Sequence, residues 1–260
     1  MKNIDCFFRN KIVVITGASS GIGKALSIEL STYGAILVLA ARNDVKLAET
    51  AELCLMNTNN IKTVQTDVSD KSSCEILIKE TINEYDRIDI LINNAGITMS
   101  TSFLEANSLD LIENNIKVNF LGSVYCTYFA LPYLKQTNGI IAGIGSLSSK
   151  WGFPTKSGYV ASKHAMSGFF DSLRMELIND NVHITMIHPS FVATGTRHSG
   201  KGIMDVTKCA NIIITSIYKR RREVIFTLPG KVALWIKIIA PKILDTINIR
   251  MMRNTNLLKR

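Results

Sequence analysis

Along the first 230 residues, short unbroken apolar runs alternate with stretches in which apolar residues recur every three or four positions. Ile12-Val13-Val14-Ile15 and the segments 35–40, 61–65, 88–92, 139–145 and 182–187 have strand length, and the most apolar of them lack the polar alternation of a strand with one wet face. They read as parallel strands covered on both sides. Between them lie helical patterns. One runs through Ala25, Leu26, Ile28 and Leu30 to about Tyr33; one spans 44–55; one is opened by Ser69 or Asp70 as cap and continues to about Tyr85; one includes residues 117–122. Another has its core side set by Met166, Phe169, Phe170, Leu173 and Leu177. A last strand is predicted at residues 223–227, closed by a turn at Pro229-Gly230, and the N-terminus is expected to lead almost directly into the first strand. The alternation predicts an α/β fold: a doubly wound, mainly seven-stranded parallel sheet flanked by helices, in one domain over residues 1–230.

The connection after the first strand carries the first chemical signal. Thr16-Gly17-Ala18-Ser19-Ser20-Gly21-Ile22-Gly23 is a glycine-rich turn from strand to helix. Glycine permits positive φ and close backbone approach, and the free N–H groups of a new helix attract phosphate, so the expected occupant is a dinucleotide pyrophosphate. Ala41-Arg42 ends the second strand, where an acid would bind the 2′-hydroxyl of an adenosine ribose and an arginine would accept a 2′-phosphate. Arg42 without an adjacent acid favours NADP. Asn93-Asn94-Ala95-Gly96 follows the fourth strand as a polar turn whose small residues let a ligand come close. Ser146 ends the fifth strand, and Tyr159 and Lys163, four apart on a helix, leave one face. Because ligands bind beyond the carboxyl ends of open parallel strands, Ser146 can lie opposite Tyr159 beside a cofactor held by the first turn. A phenol with a pKa of about 10 is a poor acid-base catalyst at neutral pH, and a neighbouring ammonium favours its phenolate.

The ordered set of Gly17, Gly21 and Gly23, Asn93-Asn94-Ala95-Gly96, Asn119, Ser146, Tyr159 and Lys163 resembles the short-chain dehydrogenase/reductase family from about residue 12 to residue 200. The resemblance implies a Rossmann-like fold and an enzyme that moves hydride to or from nicotinamide C4 of NADP(H). It also implies roles. Gly17, Ser19, Ser20, Gly21, Ile22 and Gly23 would hold the cofactor, with Arg42 at the ribose, Asp67 and Val68 at the adenine, Asn94, Ala95 and Gly96 behind it, and Pro189, Val192 and Thr194 beyond the sixth strand. Ser146 would donate to the substrate carbonyl, Tyr159 would transfer the proton, and Lys163 would support the phenol and bond the nicotinamide ribose. Asn119 would hold a helix kink and an ordered water in a proton relay. Asp67 has a plain alternative as a helix cap. Two positions depart from the family pattern: Ser20 stands where many NADP-linked relatives have a basic residue, and Ser190 where Pro-Gly is usual. The glycine-containing 196–205 segment reads as a substrate lid. Family analogy further implies a homodimer or homotetramer built on the helices of Asn119 and Tyr159, with Phe169 and Phe170 adding apolar area.

Charge changes the picture only at one end. The formal charge is +9, and from Lys219 to Arg260 eleven basic residues face only Glu223 and Asp245, so the whole net charge lies there. The run Lys219-Arg220-Arg221-Arg222 has no interleaved aromatics or binding motif, and no nucleic-acid partner is expected. Residues 231–260 form a basic, apolar helical extension. Its segment 231–244 is too short to span a membrane, which takes ~20 apolar residues, and Lys237, Pro241 and Lys242 interrupt it. On a helical wheel Val232, Ile236, Ile239, Ala240, Ile243 and Ile247 share a face opposite Lys231, Lys242 and Asp245, while Leu234, Trp235 and Ile238 blur the division; Pro241 is expected to start a second helix. The extension either packs on the domain or a neighbouring subunit, or lies on an anionic membrane surface; the second uses both its features.

Five cysteines without a C-x-x-C pair and four histidines without ligand spacing suggest neither disulfides nor a metal. Without an apolar secretory segment at the start, a cytoplasmic location is expected, with peripheral attachment at the cytoplasmic face of a membrane through the extension. Trp151, Phe153, Pro154 and Phe191 near the expected pocket, unless they are core, favour a lipophilic ketone or alcohol of steroid, retinoid or long-chain acyl type. Competing readings are a 3-oxoacyl carrier-protein reductase and a regulator that senses dinucleotide without chemistry.

Overall fold

The apolar runs are buried because successive side chains leave opposite faces of a strand and both faces are covered. In the computed structural model, which describes residues 2–194 and 203–254, Val13 and Ile15 enter one apolar layer and Ile12 and Val14 the other. Seven strands form one parallel sheet: β1 (Ile12–Thr16), β2 (Ile36–Ala41), β3 (Ile61–Gln65), β4 (Ile90–Asn93), β5 (Ile140–Ile144), β6 (His183–His188) and β7 (Glu223–Ile225). Their order is β3-β2-β1-β4-β5-β6-β7, so the direction of winding reverses between β1 and β4. This is the doubly wound α/β fold expected. Helices α1 (Lys2–Phe8), α2 (Gly21–Thr32), α3 (Asp44–Leu55) and, later in the chain, Val206–Tyr218 cover one face. Helix α4 (Lys71–Tyr85), then α5 (Asp110–Asn115) continuing through a π-helical turn Ile116–Leu121 into α6 (Gly122–Gln136), and α7 (Ser157–Glu176) lie on the other side. The Val206–Tyr218 helix is α8, and the described chain ends in α9 (Leu228–Ile239) and α10 (Pro241–Asn254).

Several expectations change. The N-terminus does not run straight into β1: α1 precedes it, anchored by Phe8, which is fully buried, and by Phe7 with its ring 5.3 Å from that of Tyr218. The fourth strand starts at Ile90, because the buried Asp89 is occupied in fixing its entry, accepting from Lys11 Nζ at 2.8 Å, Arg87 Nη2 at 2.6 Å and the Ile12 N–H at 3.0 Å. Pro229-Gly230 is not a turn but the first turn of α9, where proline fits and Thr227 caps by accepting from the Gly230 N–H at 3.2 Å. Phe170 is fully buried under the sheet, so it adds nothing to an outer face; Phe169 is partly buried against it. Asp70, not Asp67 or Ser69, caps α4. Most of the expected lid, 196–205, lies outside the described residues.

Pro241 opens a second helix as expected, and the break redistributes the wheel face. Leu244 and Asn248 of α10 turn inward, Asn248 Nδ2 donating to the Gly152 carbonyl at 3.2 Å, and Lys237 Nζ of α9 donates to the Lys150 carbonyl. Outward stand Trp235, Ile238 and Ile239, each about two-thirds exposed or more, together with Val232, Ile243 and Ile247. No helix among the described residues is long and apolar enough to cross a membrane.

Candidate active site

The turn after β1 is built for close approach. Gly17 and Gly21 have φ of +68° and +53°, in the region that disfavours side chains. A Cβ at Gly17 would stand 2.8 Å from Ala95 Cα, and one at Gly23 would stand 2.2 Å from the Gly17 carbonyl oxygen. Thr16 ties this turn to the one after β4: its Oγ1 accepts from the N–H groups of Asn94 and Ala95, both at 3.0 Å, while Asn94 Nδ2 donates to the Thr16 carbonyl at 2.9 Å. Ser20 is extended and gives α2 no side-chain cap, which leaves the helix's first N–H groups for a ligand.

These turns border a cleft of about 340 Å³ along the carboxyl ends of the strands. Of the residues expected to hold a cofactor, Gly17, Ser19, Ser20, Gly21, Ile22, Arg42, Asp67, Val68, Asn94, Ala95, Gly96 and Thr194 line it. A cleft with an uncapped helix start and glycines where a Cβ would clash fits a dinucleotide. Gly23, Pro189 and Val192 are not on it, nor are Tyr159 and Lys163, the other residues expected to touch the cofactor. Gly23 serves the packing of the turn, the Pro189 carbonyl accepts from the Leu147 N–H at 3.1 Å, and Val192 is buried in the core and bridged to Met204. Asp67 Oδ1 accepts from the N–H and hydroxyl of Ser69, at 2.9 and 2.7 Å, which fixes its turn. Asn43, Thr66, Ile97 and Val118 also line the cleft and were not singled out from the sequence. Asn43 was readable as the cap of α3, accepting from the Lys46 N–H at 2.9 Å; the apolar pair carries no chemical signal at all.

A second group converges beside this cleft. Ser146 follows β5 and caps a short turn, its Oγ accepting from the Ser148 N–H at 3.1 Å, which leaves the hydroxyl hydrogen for another partner. Lys163 is 4% exposed and donates to the Ile144 carbonyl at 2.8 Å; burial pulls its ammonium down to about 8. Tyr159 sits one turn earlier on α7, half-buried, with Lys156 Nζ 5.7 Å from its ring centre. Asn119 lies in the π-helical turn, fully buried. Its Oδ1 accepts from the Ile97 N–H, and its Nδ2 reaches the Ile97 carbonyl and Ser162 Oγ of α7 at 3.0 and 2.9 Å. Gly96 joins the two groups, since a Cβ there would stand 3.1 Å from Asn119 Oδ1 and 3.5 Å from Lys163 Nζ. Trp151 is buried, its ring 5.9 Å from that of the half-buried Phe153, whereas Phe191 is 41% exposed.

Among the described residues no three His, Cys, Asp or Glu gather as metal ligands. The comparisons with known proteins fit the geometry. An 11-beta-hydroxysteroid dehydrogenase 1A from Arabidopsis thaliana is 35% identical over 257 residues, which cover 90% of this chain and 73% of that protein. A dehydrogenase/reductase SDR family protein 7-like from Dictyostelium discoideum is 32% identical over 92% of this chain and 80% of its own. Among solved structures, an alcohol dehydrogenase from Thermococcus sibiricus complexed with 5-hydroxy-NADP matches with a TM-score of 0.76 and 26% identity, over 83% of this chain and 95% of that one. A short-chain dehydrogenase/reductase from Burkholderia phymatum in complex with NAD matches at 0.84 and 23%, over 91% of this chain and 95% of its own, and carries the fold. The family model for short chain dehydrogenases matches residues 11–201, from the entry to β1 through the whole of the cleft and α7. The chain belongs to the short-chain dehydrogenase/reductase family of oxidoreductases.

Proposed function

We propose that the protein is an NADP(H)-dependent enzyme interconverting a ketone or aldehyde and the corresponding alcohol on a lipophilic substrate of steroid, retinoid or long-chain acyl type. One observation carries the reading: at Gly96 the wall of the dinucleotide cleft comes against Asn119 Oδ1 and Lys163 Nζ. A bound nicotinamide dinucleotide supplies or accepts the hydride. The chain's own residues manage the proton. Ser146 gives its hydroxyl hydrogen to the substrate oxygen as negative charge develops there. Tyr159 passes the proton, and Lys163 one turn away favours the phenolate by its charge. Asn119 fixes the loop between them and carries the relay role. Arg42, exposed at the end of β2 beside the cleft, receives the 2′-phosphate.

The lipophilic substrate is supported by the names of the relatives from Arabidopsis thaliana and Sesamum indicum, which are steroid dehydrogenases, and by the outer face of α9 and α10. There Trp235, Ile238 and Ile239 stand out among Lys231, Lys237 and Lys242. This arrangement suits insertion of apolar side chains at an anionic lipid surface, and we assign the extension, 231–260, to peripheral membrane contact. A homo-oligomer is placed on the helices bearing Asn119 and Tyr159, where Tyr128 and Met175 are each about two-thirds exposed. The test is kcat/KM with NADPH and NADH across a panel of steroid, retinoid, aliphatic and 3-oxoacyl thioester substrates. Preference for a lipophilic ketone with NADPH is expected. Preference for a carrier-bound 3-oxoacyl thioester replaces this reading with the acyl reductase, and cofactor binding without turnover of any member replaces it with the sensor.

A further inference from the structure

His188 is the last residue of β6 and is fully buried. Its two ring nitrogens face two acceptors. Nδ1 lies 3.1 Å from the main-chain carbonyl oxygen of Ser146, and Nε2 lies 2.8 Å from Oε1 of Glu223 on β7. A carbonyl and a carboxylate can only accept. The approach at Nε2 is not aligned as a hydrogen bond, so the ring is bonded to Ser146 on one side and lies against the Glu223 carboxylate on the other.

The surroundings brace Glu223 against the ring. Glu223 holds its own proton poorly: the contact with His188, then that with Lys150, brings its carboxyl down to about 2 against the opposing effect of partial burial. The same oxygen, Oε1, meets Lys150 Nζ at the far end of the turn that starts at Ser146. Behind Lys150, Lys237 of α9 donates to its carbonyl, and Ser167 of α7 lies 3.5 Å from its Nζ. Among the described residues Glu223 is thus the charged group against the ring, and the same carboxylate oxygen also takes Lys150. There is no slack at the near end either, since a Cβ on Gly145 would stand 3.0 Å from His188 Nδ1.

We propose that His188, set between Glu223 and the Ser146 carbonyl, is a positioning residue that fixes the turn presenting the Ser146 hydroxyl. The role in turnover rests on the function proposed above; the grip does not. The test compares amide exchange in the full-length wild type, His188→Gln and Glu223→Gln. Exchange of the Ser148 amide, which bonds Ser146 Oγ, is expected to quicken about tenfold in both variants, the loss of one supporting contact. With substrate, kcat falls by a similar factor while NADPH affinity holds. Should His188→Gln fail to fold, Glu223→Gln, at the partly exposed rim, gives the same readouts. An unchanged Ser148 exchange rate in the folded variant overturns the proposal. An amide that quickens in the variants of a protein that turns over no carbonyl overturns the oxidoreductase reading instead and leaves this one standing.

Discussion

Asn119 holds Ile97 by both ends of its amide: Oδ1 accepts the Ile97 N–H at 2.8 Å, and Nδ2 donates to the Ile97 carbonyl at 3.0 Å. This pairing satisfies two backbone groups of the loop after β4 and fixes that loop to the π-helical turn, which explains why an asparagine is tolerated inside a helix. Asn119→Leu leaves both groups unpaired. At about 1–3 kcal/mol for each buried orphan, a loss of about 2–6 kcal/mol in urea unfolding is expected, with weaker NADPH binding. An unchanged unfolding midpoint would show that the tie does not hold the loop.

Arg42 directly follows β2 and lines the cleft with Asn43, and no acid stands beside it in the chain. NADPH is therefore expected to be preferred over NADH in kcat/KM, and Arg42→Asp to reverse the order by repelling the 2′-phosphate. A several-fold preference of the wild type for NADH would remove Arg42 from the ribose.

Tyr159→Phe deletes only a hydroxyl. Turnover is expected to fall by about 10²–10⁴, the usual size of general acid-base effects, while the NADPH dissociation constant stays within a factor of about two. Lys163→Ala is expected to damage both. A Tyr159→Phe protein keeping more than about a tenth of the wild-type rate would assign the proton transfer elsewhere.

Lys163 also makes a prediction without substrate. Its folded-state pKa is about 8, below the unfolded value of 10.5, because the ammonium is buried. Below about pH 8 the penalty for burying the charge is fully present; between about 8 and 10.5 the unfolded chain binds the proton and the folded one does not, so stability rises with pH. Relative to Lys163→Met, the cofactor-free protein should gain up to about 3 kcal/mol across that window. The comparison is by urea unfolding at pH 7.5 and pH 10, and a flat difference would mean that Lys163 stays charged in the folded protein.

What the sequence made legible was whatever depends on local spacing. The glycine turn lies between a strand and a helix because backbone geometry and periodicity are written into consecutive residues, and Tyr159 and Lys163 share a helix by their interval alone. What was not legible depends on distant partners. Helix α1 has only seven residues and needs Tyr33 and Tyr218 to anchor its phenylalanines, the Phe8 and Tyr33 rings being 6.0 Å apart. Pro229-Gly230 carries the dipeptide mark of a turn, but a threonine cap two residues earlier makes the same proline a helix opener. Ile97 and Val118 line the cleft only because the sheet order brings the β4 loop and the π-helical turn together. Val192, expected beside a cofactor, is drawn into the core by its pairing with Met204.

The extension is docked on one side and open on the other, and the two sides call for different variants. Truncation at residue 230 would cut α9 in its first turn and strip Asn248 from Gly152 and Lys237 from Lys150, so a loss of activity would say nothing about lipid. Replacing Trp235, Ile238 and Ile239 with serine leaves those inward contacts untouched, since all three residues are about two-thirds exposed or more. Surface insertion draws on apolar area and on roughly 1 kcal/mol for each basic residue near anionic lipid. The wild type is therefore expected to float with vesicles containing phosphatidylserine, to float less with neutral ones, and to be released by salt. The triple serine variant should remain in the lower fraction while keeping its unfolding midpoint and its rate on a water-soluble ketone. Equal flotation of both proteins, or of neither, would assign the exposed face of α9 to a second copy of the chain, which light scattering of the wild type and the variant at matched concentrations would then distinguish as dimer and monomer.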